Sequence, residues 1–278
     1  MKNEMSGLDA FRLKLIALVC MTIDHIAQFL EPVLPIPFWF HIIGRIAAPV
    51  FIYLTAWGAH YTHNRAGYMR RLYLFSAGMS LAALCVNRFA ELSGLVTIPN
   101  NIFATLFLIV LYIELIERML HDAKHSTFGR ALLDVVLLMI PILLFALTEL
   151  IPLLLGGAAG YWVKGLVRAF LPDALSCEGS IFIVFLGVAL YFLRGSRRNT
   201  AIFYIIYCIF ELVIALTGGI HNALTVNVQW MMLLALPLLL CYNGRRGPDT
   251  PFTRYLFYIY YPAHIFGLYA CYCAIIYM

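Results

Sequence analysis

The sequence predicts an all-α fold, a polytopic bundle of transmembrane helices. Three observations carry that prediction. Of the 278 residues, 63% are hydrophobic and 12% charged, where a soluble domain is about half apolar and about a quarter charged. Apolar runs of about 20 residues, the length that crosses a bilayer, recur from one end to the other. The Lys and Arg residues gather in alternate gaps between those runs, as they do when one side of a membrane is cytoplasmic. The mean hydropathy of +0.87 agrees.

The first run covers 11–30 and lacks a small-residue cleavage site after it, so it reads as a retained helix and not as a signal peptide. Further spans are expected near 38–60, 69–89, 101–119, 130–151, 179–194, 200–218, 225–242 and 253–276. "NNIF" (100–103) opens the fourth with two amides suited to helix capping. Residues 152–176, with "PLLLGGAAGYWVKGLVRAF", combine a glycine cluster and a short basic amphipathic piece, the mark of a re-entrant or interfacial segment. This makes nine spans, or ten if 152–176 crosses as well, in a single domain over 1–278.

With the N-terminus cytoplasmic, the inner side holds Lys2, Arg12 and Lys14, then Arg65, Arg70 and Arg71, then Arg118, Lys124 and Arg130, then Arg194, Arg197 and Arg198, and finally Arg245, Arg246 and Arg254. The outer loops keep Arg88, Lys164 and Arg168. A crossing at 152–176 would break this alternation. The same rule accounts for the net charge of +5, which therefore calls for no nucleic-acid partner. The seven cysteines include no pair at metal-ligand spacing and read as small buried hydrophobes. "GGAAG" (156–160) would permit a homodimer through close helix packing.

Ionisable side chains inside a span are expensive and face a cavity or a partner. Here they are Lys14, Asp24, His25, His41, Arg45, Glu114, Glu149, Glu211 and His264. Lys14 and His25 are eleven positions apart. They share one helix face, about 16 Å apart along the axis. An extended carrier arm with an anionic head, such as coenzyme A, fits that face. Lys14 is otherwise a positive-inside anchor. His25 lies deep, beside Asp24. A neutral imidazole there takes a proton from an attacking group or is itself acylated, or else makes a structural helix contact. Asp24 is about 100° round the helix from His25, which directs it toward Arg45 instead. Arg45 lies in "GRIAAP" (44–49), where small residues allow close packing and Pro49 opens the backbone ladder. Its two readings are a structural ion pair with Asp24 and stabilisation of an oxyanion. His264, in "FYIYYPAH" (257–264), reaches mid-membrane beyond Pro262 as a second catalytic histidine, a contact to the arm or a packed core residue. Tyr255, Tyr258 and Tyr261 form a helix-spaced stripe that packing explains. His221 and Asn222, in "TGGIHN" (217–222), sit in an outer loop where an acceptor would arrive.

These motifs resemble the TraX family of membrane proteins, known for F-pilin N-acetylation. The matching pieces are "LDAFRLKLIALVCMTIDHIAQ" (8–28), "GRIAAPVFIYLTAWGAHYTHNRAGYMRRL" (44–72), "NNIFATLFLIVL" (100–111), "GSIFIVFLGVALYF" (179–192), "WMMLLALPLLLCYNGRRG" (230–247) and "RYLFYIYYPAH" (254–264). The family is similar to wider transmembrane acyltransferase groups, the acyltransferase-3 enzymes and the lysosomal heparan acetyltransferase. In acyltransferase-3 enzymes a basic residue, ten residues and a histidine mark the first helix, and Lys14 and His25 keep that spacing.

The resemblance implies an acetyltransferase of the bacterial inner membrane that uses acetyl-CoA and no metal. His25, Asp24, Arg45 and His264 are then the catalytic candidates. Lys14, Arg12, Arg70, Arg71 and Tyr261 are the donor contacts, and His221 and Asn222 the acceptor contacts. The acceptor is a peptide amine, a glycan or a glycolipid. Two other classes remain open on the residues alone: an ion- or proton-coupled transporter, and a non-catalytic pilus or envelope assembly factor.

Overall fold

The computed structural model describes residues 7–98, 101–125 and 128–278, with the side chains of Phe128 and Ala131 outside the description. Asn100 and Lys2 fall outside it. The described residues form twelve α-helices and one 3-10 segment. Six helical stretches are long and apolar enough to cross a membrane: Ala10–Leu30, Trp39–Tyr61, Arg65–Ser93, Leu132–Leu155, Arg197–Thr217 and Pro251–Tyr277. Ser180–Leu193 and Gln229–Leu240 are apolar but shorter. The chain groups into two units, 1–54 with 193–278, and 55–192.

In the first unit, α1 (Ala10–Leu30) starts on Asp9, whose carboxylate accepts from Arg12 N at 2.8 Å. It runs parallel to α12 (Pro251–Tyr277), and backbone bonds tie their starts together. Leu8 N donates to Cys241 O at 2.8 Å, Asn243 N to Leu8 O at 3.0 Å and Ala10 N to Arg245 O at 2.9 Å. Phe11 meets Phe257 and, further along, Phe29 meets Tyr269, each at 6.1 Å between ring centres.

The expected span 38–60 divides into α2 (Trp39–Gly44) and α3 (Ala47–Tyr61), with a turn at Arg45 and Ile46. Pro49 explains it: four positions on, it has no N–H for the Arg45 carbonyl, and its ring crowds that carbonyl. Gly44 lets α2 lie tight on α1. A Cβ there would sit 2.2–2.3 Å from the Asp24 side chain.

The expected span 225–242 is not a continuous helix. It is the end of α10 (Ile220–Thr225), a 3-10 segment Gln229–Ala235 and α11 (Leu236–Leu240). Pro237 removes the N–H that would close on Leu233. Side chains supply bonds the broken ladder lacks: Tyr204 Oη donates to Met232 O at 2.6 Å and Trp230 Nε1 to Ala223 O at 2.8 Å. Tyr204 comes from α9 (Arg197–Thr217), which packs along this segment.

In the second unit, α4 (Arg65–Ser93) ends on Gly94 in the left-handed region, φ 66°. Asn101 caps α5 (Ile102–Lys124), accepting from Phe103 N at 3.0 Å. Arg65 gathers Glu114, Glu117 and the Tyr191 hydroxyl of α8 (Ser180–Leu193). Residues 152–176, expected as a re-entrant or interfacial segment, contain a short helix. After α6 (Phe128–Leu155) the chain turns at Gly156 into α7 (Gly157–Phe170), 14 residues long. α7 lies along α4, with Gly165 against Leu84 and Tyr73 Oη donating to Phe170 O at 3.0 Å. Gly160 of "GGAAG" sits against Pro152 of the same chain, while residues 156–159 are exposed. The basic residues of α7 are paired: Lys164 with Glu149 at 2.7 Å, and Arg168 with Glu149 at 2.9 Å and Asp173 at 3.2 Å. Asp173 is buried and also accepts from Leu175 N and Ser176 N.

Two stability outcomes follow from this packing. Gly44→Ala forces α2 off α1 and lowers stability by about 1–3 kcal/mol, read from thermal unfolding in detergent. An unchanged midpoint would show that the helices give way freely. Asp173→Ala leaves Arg168 partly buried without its second partner and frees two backbone N–H groups, a loss of about 3–5 kcal/mol. A loss under 1 kcal/mol would mean that water replaces the carboxylate.

Candidate functional site

The candidate site lies in the first unit, where α1, α2, α12 and the 3-10 segment meet. Two histidines form its centre. His25, buried on α1, and His264, on α12, join Nδ1 to Nε2 at 2.6 Å. Their rings are 8° from parallel with centres 4.9 Å apart. That is the spacing of two rings meeting edge to edge, so the nitrogen lone pair lies along the bond and the contact is not a face-to-face stack.

The proton positions follow from one carbonyl. His264 Nδ1 is 2.8 Å from Tyr260 O. A carbonyl only accepts, so Nδ1 of His264 carries hydrogen. In the neutral ring Nε2 of His264 then holds the lone pair and accepts from Nδ1–H of His25. Nε2 of His25 is left with its own lone pair, a base at the head of a line of donors. Tyr260 is itself held. Thr22 Oγ1 donates to Leu18 O at 2.8 Å, so it accepts from Tyr260 Oη at 2.9 Å. Tyr260 lies flat on the His264 ring, 4.9 Å between centres and 17° between planes. Tyr261, 4% exposed, is edge-on to His25 at 6.2 Å and to His264 at 5.7 Å.

Asp24 does not bond to its neighbour His25. Its two oxygens accept from Arg45 Nη2 at 3.1 and 2.9 Å. Arg45 Nη1 donates to Gln229 Oε1 at 3.0 Å and Nε to His41 O at 3.3 Å. The His41 ring stands between Asp24, at 3.4 Å, and Glu31, at 3.0 Å. The turn before Pro49 is what swings Arg45 back over α1. The structural ion pair is therefore formed, and it fixes Arg45 on three sides.

Lys14 lies with its Nζ 5.3 Å above the Phe257 ring. Arg246 is close enough to act on it electrostatically. Among the described residues no carboxylate pairs with Lys14. Arg12 is exposed on its own turn, 3.7 Å from Asp9. Arg70 and Arg71 belong to α4 of the other unit. Asn222 is committed to the end of α9, where its amide donates to Ala215 O at 2.9 Å. His221, beside it on α10, is exposed.

The sequence reading gave no catalytic or binding role to Gln229, His41, Tyr260 or Arg246. Tyr260 carried a signal, four positions before His264 on one helix face. Gln229 carried a weaker one, as a polar side chain opening an apolar run. Among the described residues no three His, Cys, Asp or Glu side chains are grouped to hold a metal ion.

Chemically, this arrangement offers one buried, directed base, an anchored guanidinium near it and an uncompensated cation nearer the start of α1. No curated protein and no solved structure matches the chain. A family model described as TraX protein matches residues 10–271, nearly the whole of it, and the chain belongs to the TraX family.

Proposed function

We propose that the chain is an integral-membrane acetyltransferase that moves an acetyl group from cytoplasmic acetyl-CoA to an acceptor reached from the outer side. The family points to a pilin-related role, and the acceptor is a peptide amine or an envelope glycan or glycolipid. The protein sits in the inner membrane with nine spans and its N-terminus inside. The observation that carries the reading is the directed lone pair on His25 Nε2.

The residues suit the donor. Lys14 and Arg246 offer positive charge without a carboxylate on Lys14, which fits a phosphate. From Lys14 to His25 the helix rises about 16 Å, a distance for an extended arm to cover with its thioester at the histidine. His25 Nε2 takes the proton of the attacking amine or hydroxyl as the new bond to the acetyl carbon forms. The carbon–sulfur bond then breaks and the thiolate takes that proton back from Nε2. His264 holds the imidazole in the needed tautomer, and Asp24 holds Arg45 beside the developing charge. In the alternative order Nε2 attacks the thioester carbon and the carbon–sulfur bond breaks to release the thiolate; the acceptor then attacks the acetylated ring, its proton goes to the thiolate and Nε2 is freed.

His25→Ala is expected to lower acetyl transfer by about 10²–10⁴-fold, measured with labelled acetyl-CoA in vesicles, while the protein still elutes as a folded species. Full activity in that variant would sink the mechanism and favour an assembly factor. His264→Gln, whose amide oxygen still accepts from His25 Nδ1–H, should retain more activity than His264→Leu; equal loss in the two would deny the tautomer role. Lys14→Ala is expected to weaken acetyl-CoA binding about ten-fold, or about 1.4 kcal/mol, by calorimetry. A folded wild-type protein that binds no acetyl-CoA would remove the donor, and solute flux in proteoliposomes would then test a transporter.

A further inference from the structure

α5 carries two histidines at its C-terminal end. His121 and His125 are four positions apart, so they stand on one face of the helix. The helix keeps its pitch through them, since His125 N donates to His121 O at 3.1 Å. His121 lies in the last turn and His125 is the cap, past the apolar part of α5. Both are exposed, so a hydrated ion reaches them. A histidine pair at this spacing on one helix face is also how the zinc of a metalloprotease is held.

Three features of the pair suit a metal ion. The first is spacing. The ring centres are 4.4 Å apart, with 46° between the planes. With metal–nitrogen bonds of about 2.0 Å each ring centre lies about 3.2 Å from the ion, so two rings at a right angle are about 4.5 Å apart and two at a tetrahedral angle about 5.2 Å. The observed spacing matches the right angle. The second is direction. His121 Nδ1 is 3.3 Å from Asp122 Oδ1. Arg118 is close enough to act on Asp122 electrostatically, which favours the ionised carboxylate. An ionised carboxylate only accepts, so Nδ1 of His121 carries hydrogen and Nε2 keeps its lone pair. A carboxylate behind a ligating imidazole fixes its tautomer and raises its basicity. The third is the field. The last carbonyls of α5 point out at this end, and a helix C-terminus attracts cations.

We propose that His121 and His125 form a surface site for one divalent transition-metal ion, copper or nickel. The two imidazoles are neighbouring ligands at a right angle, Asp122 holds His121 from behind, and water fills the remaining positions. The right angle suits the tetragonal coordination of copper(II) and nickel(II), whereas zinc prefers a tetrahedron. Two protein ligands are fewer than a structural site gathers, so the ion exchanges with solution, and when bound it ties together the last turn of α5. The pair lies in the second unit and takes no part in the proposed acetyl transfer, so either can fail alone.

The test is equilibrium binding of nickel(II), copper(II) and zinc to the purified full chain without a histidine tag, read by competition with a chromogenic chelator. The wild-type chain is expected to hold one nickel or copper ion that the double variant His121→Ala with His125→Ala does not hold. Either substitution alone leaves one imidazole and loses the chelate, so binding should weaken about ten-fold or more. Asp122→Asn keeps both ligands and should weaken binding about ten-fold. Electron paramagnetic resonance of bound copper(II) should show two coupled nitrogens in the wild-type chain and one in either single variant. Equal binding by the wild-type chain and the double variant would overturn the site. Zinc held more tightly than nickel would overturn the right-angled geometry, and unchanged binding in Asp122→Asn would remove Asp122 from it. Both histidines are exposed, so the alanine variants leave the packing of the chain as it is.

Discussion

A carbonyl that can only accept sets the direction of every proton between Tyr260 and His25. The Tyr260 oxygen fixes hydrogen on one nitrogen of His264, and the fixed ring fixes the next. A lone histidine in an apolar helix has two tautomers of similar energy and no preferred reacting nitrogen. Here the backbone of α12 chooses for it, and the close parallel run of α1 and α12 exists to bring the two rings edge to edge. Thr22, Tyr260 and Tyr261 all act on that same alignment, by bond, by stack and by ring edge.

The broken backbone around the site has a related logic. A regular helix closes its own backbone bonds and leaves no main-chain group without a partner. The turn at Arg45 and the 3-10 stretch from Gln229 give up that self-sufficiency, each close to a proline. In return Arg45 reaches Asp24 and Gln229 together, and Tyr204 and Trp230 reach across to main-chain oxygens. The polar groups that α1, α2 and the 3-10 segment carry inward are thus tied to one another.

The parts legible in the sequence are those governed by local pattern. The apolar run of α1 gave its extent, helical spacing put Lys14 and His25 on one face, and Pro49 marked the turn at Arg45. Asp24 was also rightly aimed away from His25, because adjacent residues diverge round a helix. The meeting of His25 with His264 was not legible, since 239 positions separate them and no local pattern encodes a long-range pairing. Hydropathy also hid the break at 225–242: it counts apolar side chains and does not register whether a backbone closes its own bonds. The short amphipathic piece at α7 was legible, but the partners of its charges were not. Lys164 and Arg168 pair with Glu149 and Asp173, which no local pattern announces.

The separation between the two histidines also sets a schedule for biosynthesis. Arg45 follows Asp24 by 21 positions, so that charge is neutralised almost as soon as it enters the bilayer. His264 is made 239 positions after His25, a delay of about 10–50 s at ordinary rates of synthesis. Through that interval α1 waits in lipid or against the insertion machinery with its imidazole unmatched. A neutral ring tolerates the wait where a carboxylate would not. The order of partners along the chain therefore matches the cost of leaving each group alone.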